Sequence, residues 1–373
     1  MAARPGLIAK ALPFHPEFDR SIDIVDGVWS PAFLSHFRPD GFLFHNRFVL
    51  SEINYGNGII VSCGYTEAVD DYWRGHPVIK RLGWDTARLH RRPLPWLINI
   101  ARRFARPVRY PTVALLAHSE EWRTLEKFPP RVMDQVKFVR GQFVRAGLRA
   151  RLCTEKDIAL DRSGEPHFDA DGQRIDLLMF ITIGTTFMDQ PTLLSPGGSL
   201  AHFRGARMGD TWVLKPLAGL LIDKGALPLI GTLNSSRQAH DGFRFEVSPT
   251  EFPFQHDPTR YLRSQSDWVI KRAFDGKDTH VGVSSDTDRW NTAVRRSVSP
   301  QYVAQRYVSL PRADVPVLVD EKHLEWVPSR VELSPFIYDG AFGGAGARFA
   351  HDAEGLIMTD FPLGYGYSTV FCT

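Results

Sequence analysis

Two short apolar runs, Phe42–Phe44 and Phe48–Ile53, stand on either side of His45-Asn46-Arg47, a spacing that predicts a β-hairpin closed by a polar turn. Asp40 opens the first strand, and Glu52 and Asn54 fall near the end of the second. Strand side chains alternate, so Glu52 and Asn54 share a face. Thr66–Trp73 reads as a helical turn carrying Glu67, Asp70 and Asp71. Further on, Thr112–Ala117 is a short apolar strand running into His118-Ser119-Glu120. Val132, Met133, Val136, Val139, Phe143 and Val144 recur at helical spacing, predicting a helix over Pro130–Ala146 that stops at Gly147. Leu148–Leu152 and Asp176–Ile183 follow as strands. Strand, helix, strand in that order predicts an open, mostly parallel sheet, with ligands expected beyond the carboxyl ends of its strands, near His118–Glu120 and Gly184–Thr186.

The last third alternates strands with polar, glycine-containing loops. Trp268-Val-Ile-Lys271 is an apolar strand ending in a lysine, and the Asp275-Gly276-Lys277 loop leads into a second strand reaching Val283. Backbone amides beside a fixed ammonium suit a triphosphate, although lysines end many strands. Neither a Walker loop nor a dinucleotide fingerprint occurs in the sequence. Tyr302–Tyr307 is a strand that runs through Val308 to Pro311, able to offer the Gln305 amide and backbone groups to an adenine edge. Val331–Gly340 and Ala347–His351 read as two strands around a turn rich in glycine (Gly343, Gly344, Gly346), with Arg348 on the second. These elements together give an α/β (α+β) fold class.

Composition narrows the chemistry. Of 373 residues 43% are hydrophobic and 23% charged, ordinary for a globular protein. A net charge of +3 gives no global electrostatic case for nucleic acid. Cys63, Cys153 and Cys372 are scattered and odd in number, which favours a reducing cytoplasmic setting over a disulfide or zinc framework. The N-terminus lacks the apolar run of a signal peptide, and the longest apolar run, Ile175–Ile183, is too short to cross a bilayer. Locally, residues 74–109 carry ten Arg or Lys against one acid, Asp85, with aromatic and aliphatic residues interleaved. A solvated basic helix, an anion-facing surface and a peripheral membrane contact all fit that pattern.

Asp40, Glu52 and Asn54 on adjacent strands would suit a hard cation such as Mg2+; a solvated edge hairpin fits the same residues. The order of the pieces resembles the circularly permuted ATP-grasp ligases of the glutathionylspermidine synthetase type. In that family an Arg-x-Asp precedes a Glu-x-Asn on the next strand, and Arg38-Pro-Asp40 precedes Glu52-Ile-Asn54. The family's Asn-Lys-Ala-like helix start is similar to Asp223-Lys224-Gly-Ala. Its strand lysine and glycine-containing loop resemble Lys271 and Asp275–Val283, its adenine-side strand resembles Val303-Ala-Gln305 to Pro311, and its later arginine resembles Arg348. The family's Arg-Glu-Gly in the loop is replaced by Asp275-Gly276-Lys277, and no amidase part is recognisable.

The resemblance implies an ATP-grasp fold, circularly permuted, with a small Rossmann-like pre-ATP-grasp unit. It divides the chain into residues 1–110 (metal hairpin and basic segment), 111–205 (the α/β unit) and 206–373 (the nucleotide-binding portion). It implies a carboxylate–amine ligase using ATP and Mg2+ on small-molecule carboxylate and amine substrates. Asp40, Glu52 and Asn54 would hold metal; Arg38 and Arg348 would stabilise the transferring phosphoryl group. Lys224, Lys271 and the Asp275, Gly276, Lys277 loop would bind phosphates, and Gln305, Tyr307 and Val308 would read adenine. The amine must attack unprotonated, and His36, His118 and His280 are the candidate bases. A kinase on the same fold, a non-catalytic nucleotide-binding protein with an acidic or membrane partner, and a homodimer remain open.

Overall fold

A computed structural model describes residues 36–55, 67, 70–86, 92–119, 131–180, 197–198, 201–203, 207–214, 224–225, 227–228, 230–231, 244–273, 278–320, 323–338, 340–351 and 365–372. The first described elements are strands β1 (His36–Phe44) and β2 (Arg47–Tyr55), followed by helices α1 (Pro77–Leu82) and α2 (Pro93–Phe104). Next come β3 (Thr112–Ala117), α3 (Arg131–Arg145), β4 (Arg149–Thr154), β5 (Leu177–Phe180) and β6 (Thr211–Leu214). The remainder comprises β7 (Arg244–Val247), β8 (Thr250–Glu251), α4 (Thr259–Arg263), β9 (Trp268–Arg272), β10 (Thr279–Val281), α5 (Thr287–Ser297) and β11 (Tyr302–Arg306). Then come β12 (Arg312–Leu318), β13 (Leu324–Tyr338), β14 (Ala341–His351) and β15 (Tyr365–Thr369), with a two-residue strand at Phe371–Cys372 after them.

These strands build three main sheets. Strands from both ends of the chain share a seven-stranded sheet in the order β7-β2-β1-β13-β14-β15, with β12 on the far part of β13. A five-stranded sheet runs β4-β3-β5-β6 and ends in the short strand Arg207–Met208. A four-stranded antiparallel sheet runs β8-β11-β9-β10.

The middle sheet is parallel through β4, β3, β5 and β6, as the strand–helix–strand order predicts. Parallel strands covered on both faces must be apolar throughout, and β3 is buried at every position. Val113 and Leu115 join α2 and α3 in one core cluster, while Ala114 and Leu116 join Cys153, Ile175 and Leu178 in the other. Helix α3 ends where the sequence places its stop: Gly147 has φ +83, and the Leu148 N–H reaches back to the Phe143 carbonyl at 3.0 Å.

Helix α2 accounts for part of the basic segment. Pro93 starts it, where a missing N–H costs nothing. Leu94, Trp96, Leu97, Ile100 and Phe104 are buried in the core, each stabilising the fold by about 1.5–3 kcal/mol. That apolar face is therefore spent on the protein interior, which removes it from a membrane contact. Arg106 is likewise internal, paired with the buried Glu165. No helix among the described residues is long and apolar enough to cross a membrane.

The hairpin of β1 and β2 carries an irregularity that the alternation rule does not foresee. Asp40 pairs with Glu52 but Gly41 pairs with Leu50, so Ser51 is an extra residue on β2. Gly41 sits at the tight point of this bulge: a Cβ there would meet the Val49 carbonyl oxygen at 2.4 Å and the Phe48 ring at 2.7 Å. A second correction concerns Gly343, Gly344 and Gly346, which the sequence reading places in a turn. They lie within β14, and the chain reverses instead at Gly340, with φ +74.

Candidate functional site

Pairing register places the charged residues before any side chain is considered. Residues directly opposite on antiparallel strands point to the same face. Asp40 is opposite Glu52, Arg38 opposite Asn54, and Glu332 opposite Arg348. With β2, β1, β13 and β14 consecutive in the sheet, Arg38, Asp40, Glu52, Glu332 and Arg348 converge on one sheet face.

Asp40 is the buried centre, 1% exposed. Arg38 grips it with both prongs, Nε to Oδ1 and Nη2 to Oδ2 at 2.8 Å each. Arg348 reaches the same carboxylate from β14, Nη2 to Oδ2 at 3.1 Å, and donates Nη1 to Glu332 Oε2 at 3.2 Å. Burial pushes the Asp40 carboxyl upward, but the two guanidiniums outweigh it and hold the pKa below the ordinary carboxylate range. Burial and two nearby carboxylates raise the Glu332 pKa to about 7, with Arg348 and, more weakly, Lys271 opposing them.

Ser51, the bulge residue, is within reach of both acids. Its Oγ lies 2.9 Å from the Asp40 carbonyl and 3.2 Å from Glu332 Oε1. A hydroxyl has one proton to give; with that proton on the Asp40 carbonyl, the second contact is satisfied when Glu332 itself carries a proton. The hydrogen-bond arrangement and the raised pKa thus point the same way.

The two lysines approach Glu52 from elsewhere in the chain. Lys224 is 4% exposed, its backbone N–H is fixed on the Ala273 carbonyl at 3.0 Å, and its Nζ lies 3.7 Å from Glu52 Oε1. Lys271 on β9 donates Nζ to Gln305 Oε1 at 2.8 Å. Burial drives the Lys271 pKa down, with Glu52 working against that and Lys224 adding to it. Burial raises the pKa of the half-buried Glu52, but Lys224 and Lys271 outweigh it and hold it below the ordinary value. The Gln305 amide passes its two protons to the Ser51 carbonyl (3.1 Å) and Thr250 Oγ1 (3.2 Å). A continuous polar path thereby runs from Lys271 in one sheet to Arg348 and Arg38 in another.

The sequence-derived candidates separate clearly against this geometry. Arg38, Asp40, Glu52, Lys224, Lys271, Gln305 and Arg348 form one connected cluster. Asp275, Gly276 and Lys277 lie outside the described residues, as do the side chain of Asn54 and that of the candidate base His36. Tyr307 and Val308 are half-buried just past β11, and the Tyr307 N–H donates to the Asp267 carbonyl at 2.8 Å. His280 pairs with Ile270 in register, which puts it on the face opposite Lys271, 2.7 Å from Asp278. His118 sits at the end of β3, 3.8 Å from Glu155, a carboxylate that Ser119 also binds; Glu120 and Gly184–Thr186 are outside the described residues. Glu332 and Ser51 were missed. A lone acid in the apolar run Val331-Glu-Leu-Ser-Pro-Phe was the available signal for Glu332; the bulge at Ser51 left none.

Of the expected metal set, Asp40 and Glu52 are described here and the Asn54 side chain is not. Both Asp40 oxygens are engaged by guanidinium groups. Glu52 alone keeps a fifth of its side chain exposed, with its lysine at ion-pair rather than hydrogen-bond distance. With Arg38, Arg348, Lys224 and Lys271 set against Asp40, Glu52 and a Glu332 of raised pKa, the face has an excess of cations, the balance expected of an anion site.

The protonation of Glu332 has a measurable consequence. Its pKa is 4.5 in a model peptide and about 7 here, so between those values the folded chain holds more protons than the unfolded one. Stability is therefore expected to fall as pH rises from about 4.5 to 7, by about 3 kcal/mol from this group. Urea titrations should show that slope in the parent and a flatter one in Glu332→Gln. An equal slope in both would remove Glu332 as its source.

No family model matches the sequence, and no curated protein matches it. Among solved structures, the chain is similar to a glutathione synthetase-like effector from Globodera pallida in its apo form. The match has 11% identity and TM-score 0.53, covering 99% of this chain and 82% of the other. A γ-glutamylcysteine synthetase-type protein from Methylobacillus flagellatus matches at 8% identity and TM-score 0.48, covering 90% and 80%. A D-alanyl-alanine synthetase A from Vibrio cholerae matches at 14% identity and TM-score 0.34, covering 60% and 67%. At 11% identity the first of these matches is a likeness of fold alone, and it supports the mixed α/β architecture.

Proposed function

We propose that this chain is an ATP-dependent carboxylate–amine ligase of the permuted ATP-grasp kind, acting on small molecules. The observation that carries the reading is the convergence of Lys224 and Lys271 with the arginine face of β1 and β14. Four cations around partly neutralised acids suit a polyphosphate and a developing acyl phosphate better than any neutral ligand. The likeness in fold to a glutathione synthetase-like protein supports the same reading.

In this scheme the substrate carboxylate oxygen attacks the γ-phosphorus of ATP. The bond from that phosphorus to the bridging oxygen breaks, and ADP leaves with the electron pair. The amine nitrogen then attacks the acyl carbon, phosphate departs, and the proton lost from nitrogen passes to a base. Phosphoryl transfer rests chiefly on positioning and charge neutralisation. Lys224 and Lys271 hold the nucleotide phosphates, and an arriving polyanion favours the charged form of Lys271 that burial opposes. Arg38 and Arg348 are partly exposed, at 22% and 14%, and exchange part of their carboxylate contacts for phosphoryl oxygens. Tyr307 and Val308 border the adenine. Mg2+ brought in on the phosphates would find Glu52 as its accessible carboxylate.

The test is an ADP-release screen of the purified protein against carboxylate and amine libraries, with mass detection of products. ADP that appears only when an acid and an amine are both present, with a product weighing their sum less one water, is the expected result. A stable phosphorylated product from a single substrate would instead make the chain a kinase.

A further inference from the structure

We infer that Gln305 is a positioning residue for Lys271, setting where its ammonium meets phosphate and tying β9 to the β2 hairpin, and that it does not read the nucleotide base. The inference rests on the nucleotide-site reading proposed above. Gln305 is 3% exposed, one residue before the end of β11. It is paired with Val269 on one side and Thr250 on the other, so Lys271, two residues along from Val269, is its diagonal neighbour on the same face.

The hydrogen-bond inventory of the amide fixes its orientation. Lys271 Nζ can only donate, so the group 2.8 Å away must be the amide oxygen. The Ser51 carbonyl can only accept, and the Thr250 hydroxyl already gives its proton to the Ser248 carbonyl at 2.7 Å. Both amide protons therefore go to Ser51 and Thr250. No donor remains for an adenine ring nitrogen, and turning the amide toward a base would break three contacts in a buried place. The same contacts make the amide a strut: pulling Gln305 away would loosen Lys271 in one sheet and the Ser51 bulge, and through it Asp40 and Glu332, in the other.

Calorimetric binding of ADP, GDP and inorganic tripolyphosphate to the full chain tests this. In Gln305→Met, all three affinities are expected to fall together, by roughly ten- to a hundred-fold, with the ADP-to-GDP ratio unchanged. Unchanged tripolyphosphate affinity with a collapsed ADP-to-GDP ratio would overturn the inference and make Gln305 a base reader. Gln305→Glu guards against a simple folding failure. Its carboxylate competes with phosphate for the Lys271 ammonium, so tripolyphosphate binding should weaken progressively as pH rises through the titration of the introduced carboxyl group, in a variant whose thermal melt stays cooperative. A pH-independent loss in that variant would contradict the positioning role. Parent protein that binds none of the three probes would overturn the nucleotide reading, and this inference with it.

Discussion

Replacing Arg348 with methionine is expected to cost about 3–5 kcal/mol of stability, the range for stripping the partner from a buried ion pair. The guanidinium bridges the Asp40 and Glu332 carboxylates, at 3.1 and 3.2 Å. Arg38 would still cover Asp40, but Glu332 would keep only the Ser51 hydroxyl. Because a protonated Glu332 needs no counter-charge, the penalty should be smallest at acidic pH and reach its full size above neutrality. Arg348→Lys should recover only part of it, since a single ammonium lacks the planar fork that spans two carboxylates. Urea denaturation of the three proteins across pH 5 to 8 checks this; a pH-independent loss would mean that packing, and not charge, is what Arg348 supplies.

Lys271→Met is expected to do the reverse, damaging binding and sparing the fold. The ammonium contributes a charge-assisted contact to phosphate, and truncating such a buried partner costs about 2–5 kcal/mol, or roughly thirty- to several-thousand-fold in nucleotide affinity. Yet Lys271 is itself expensive to hold: burial opposes its charge, and the neighbouring Lys224 adds repulsion. Methionine of similar length removes both costs, while Glu52 keeps Lys224 at 3.7 Å. Melting temperature should therefore hold or rise as ADP and tripolyphosphate binding disappear. A variant that melts early while still binding ADP would show that the lysine is a structural strand end.

Much of this site could be read from the sequence because its parts are local. The hairpin turn, the Arg38–Asp40 and Glu52–Asn54 spacings and the lysine-terminated strand each need only a few consecutive residues and the period of a strand. What escaped depends on pairing across sequence distance. Glu332 gains its importance from lying opposite Arg348 and beside Ser51, which is 281 residues away, and no local pattern encodes that register. The Ser51 bulge depends on how closely Gly41 packs against Phe48 and Val49, a fact of two strands and not of one. Gln305 has a strand position that suits a base edge, but its partners come from β2, β8 and β9, and these commit its amide elsewhere. In the basic segment the amphipathic pattern is real, and α2 fits the solvated-helix reading: its apolar side faces the parallel sheet while Arg102 and Arg103 stay exposed.

Running the acid library with hydroxylamine in place of the amine tests the central claim most directly. Hydroxylamine intercepts an acyl phosphate without needing the natural amine. For the cognate acid, the account predicts a hydroxamate formed in step with ADP, lost together with nucleotide binding in Lys271→Met. ADP release with a stable phosphoester and no hydroxamate, or tight ATP binding with no turnover for any acid, would contradict it.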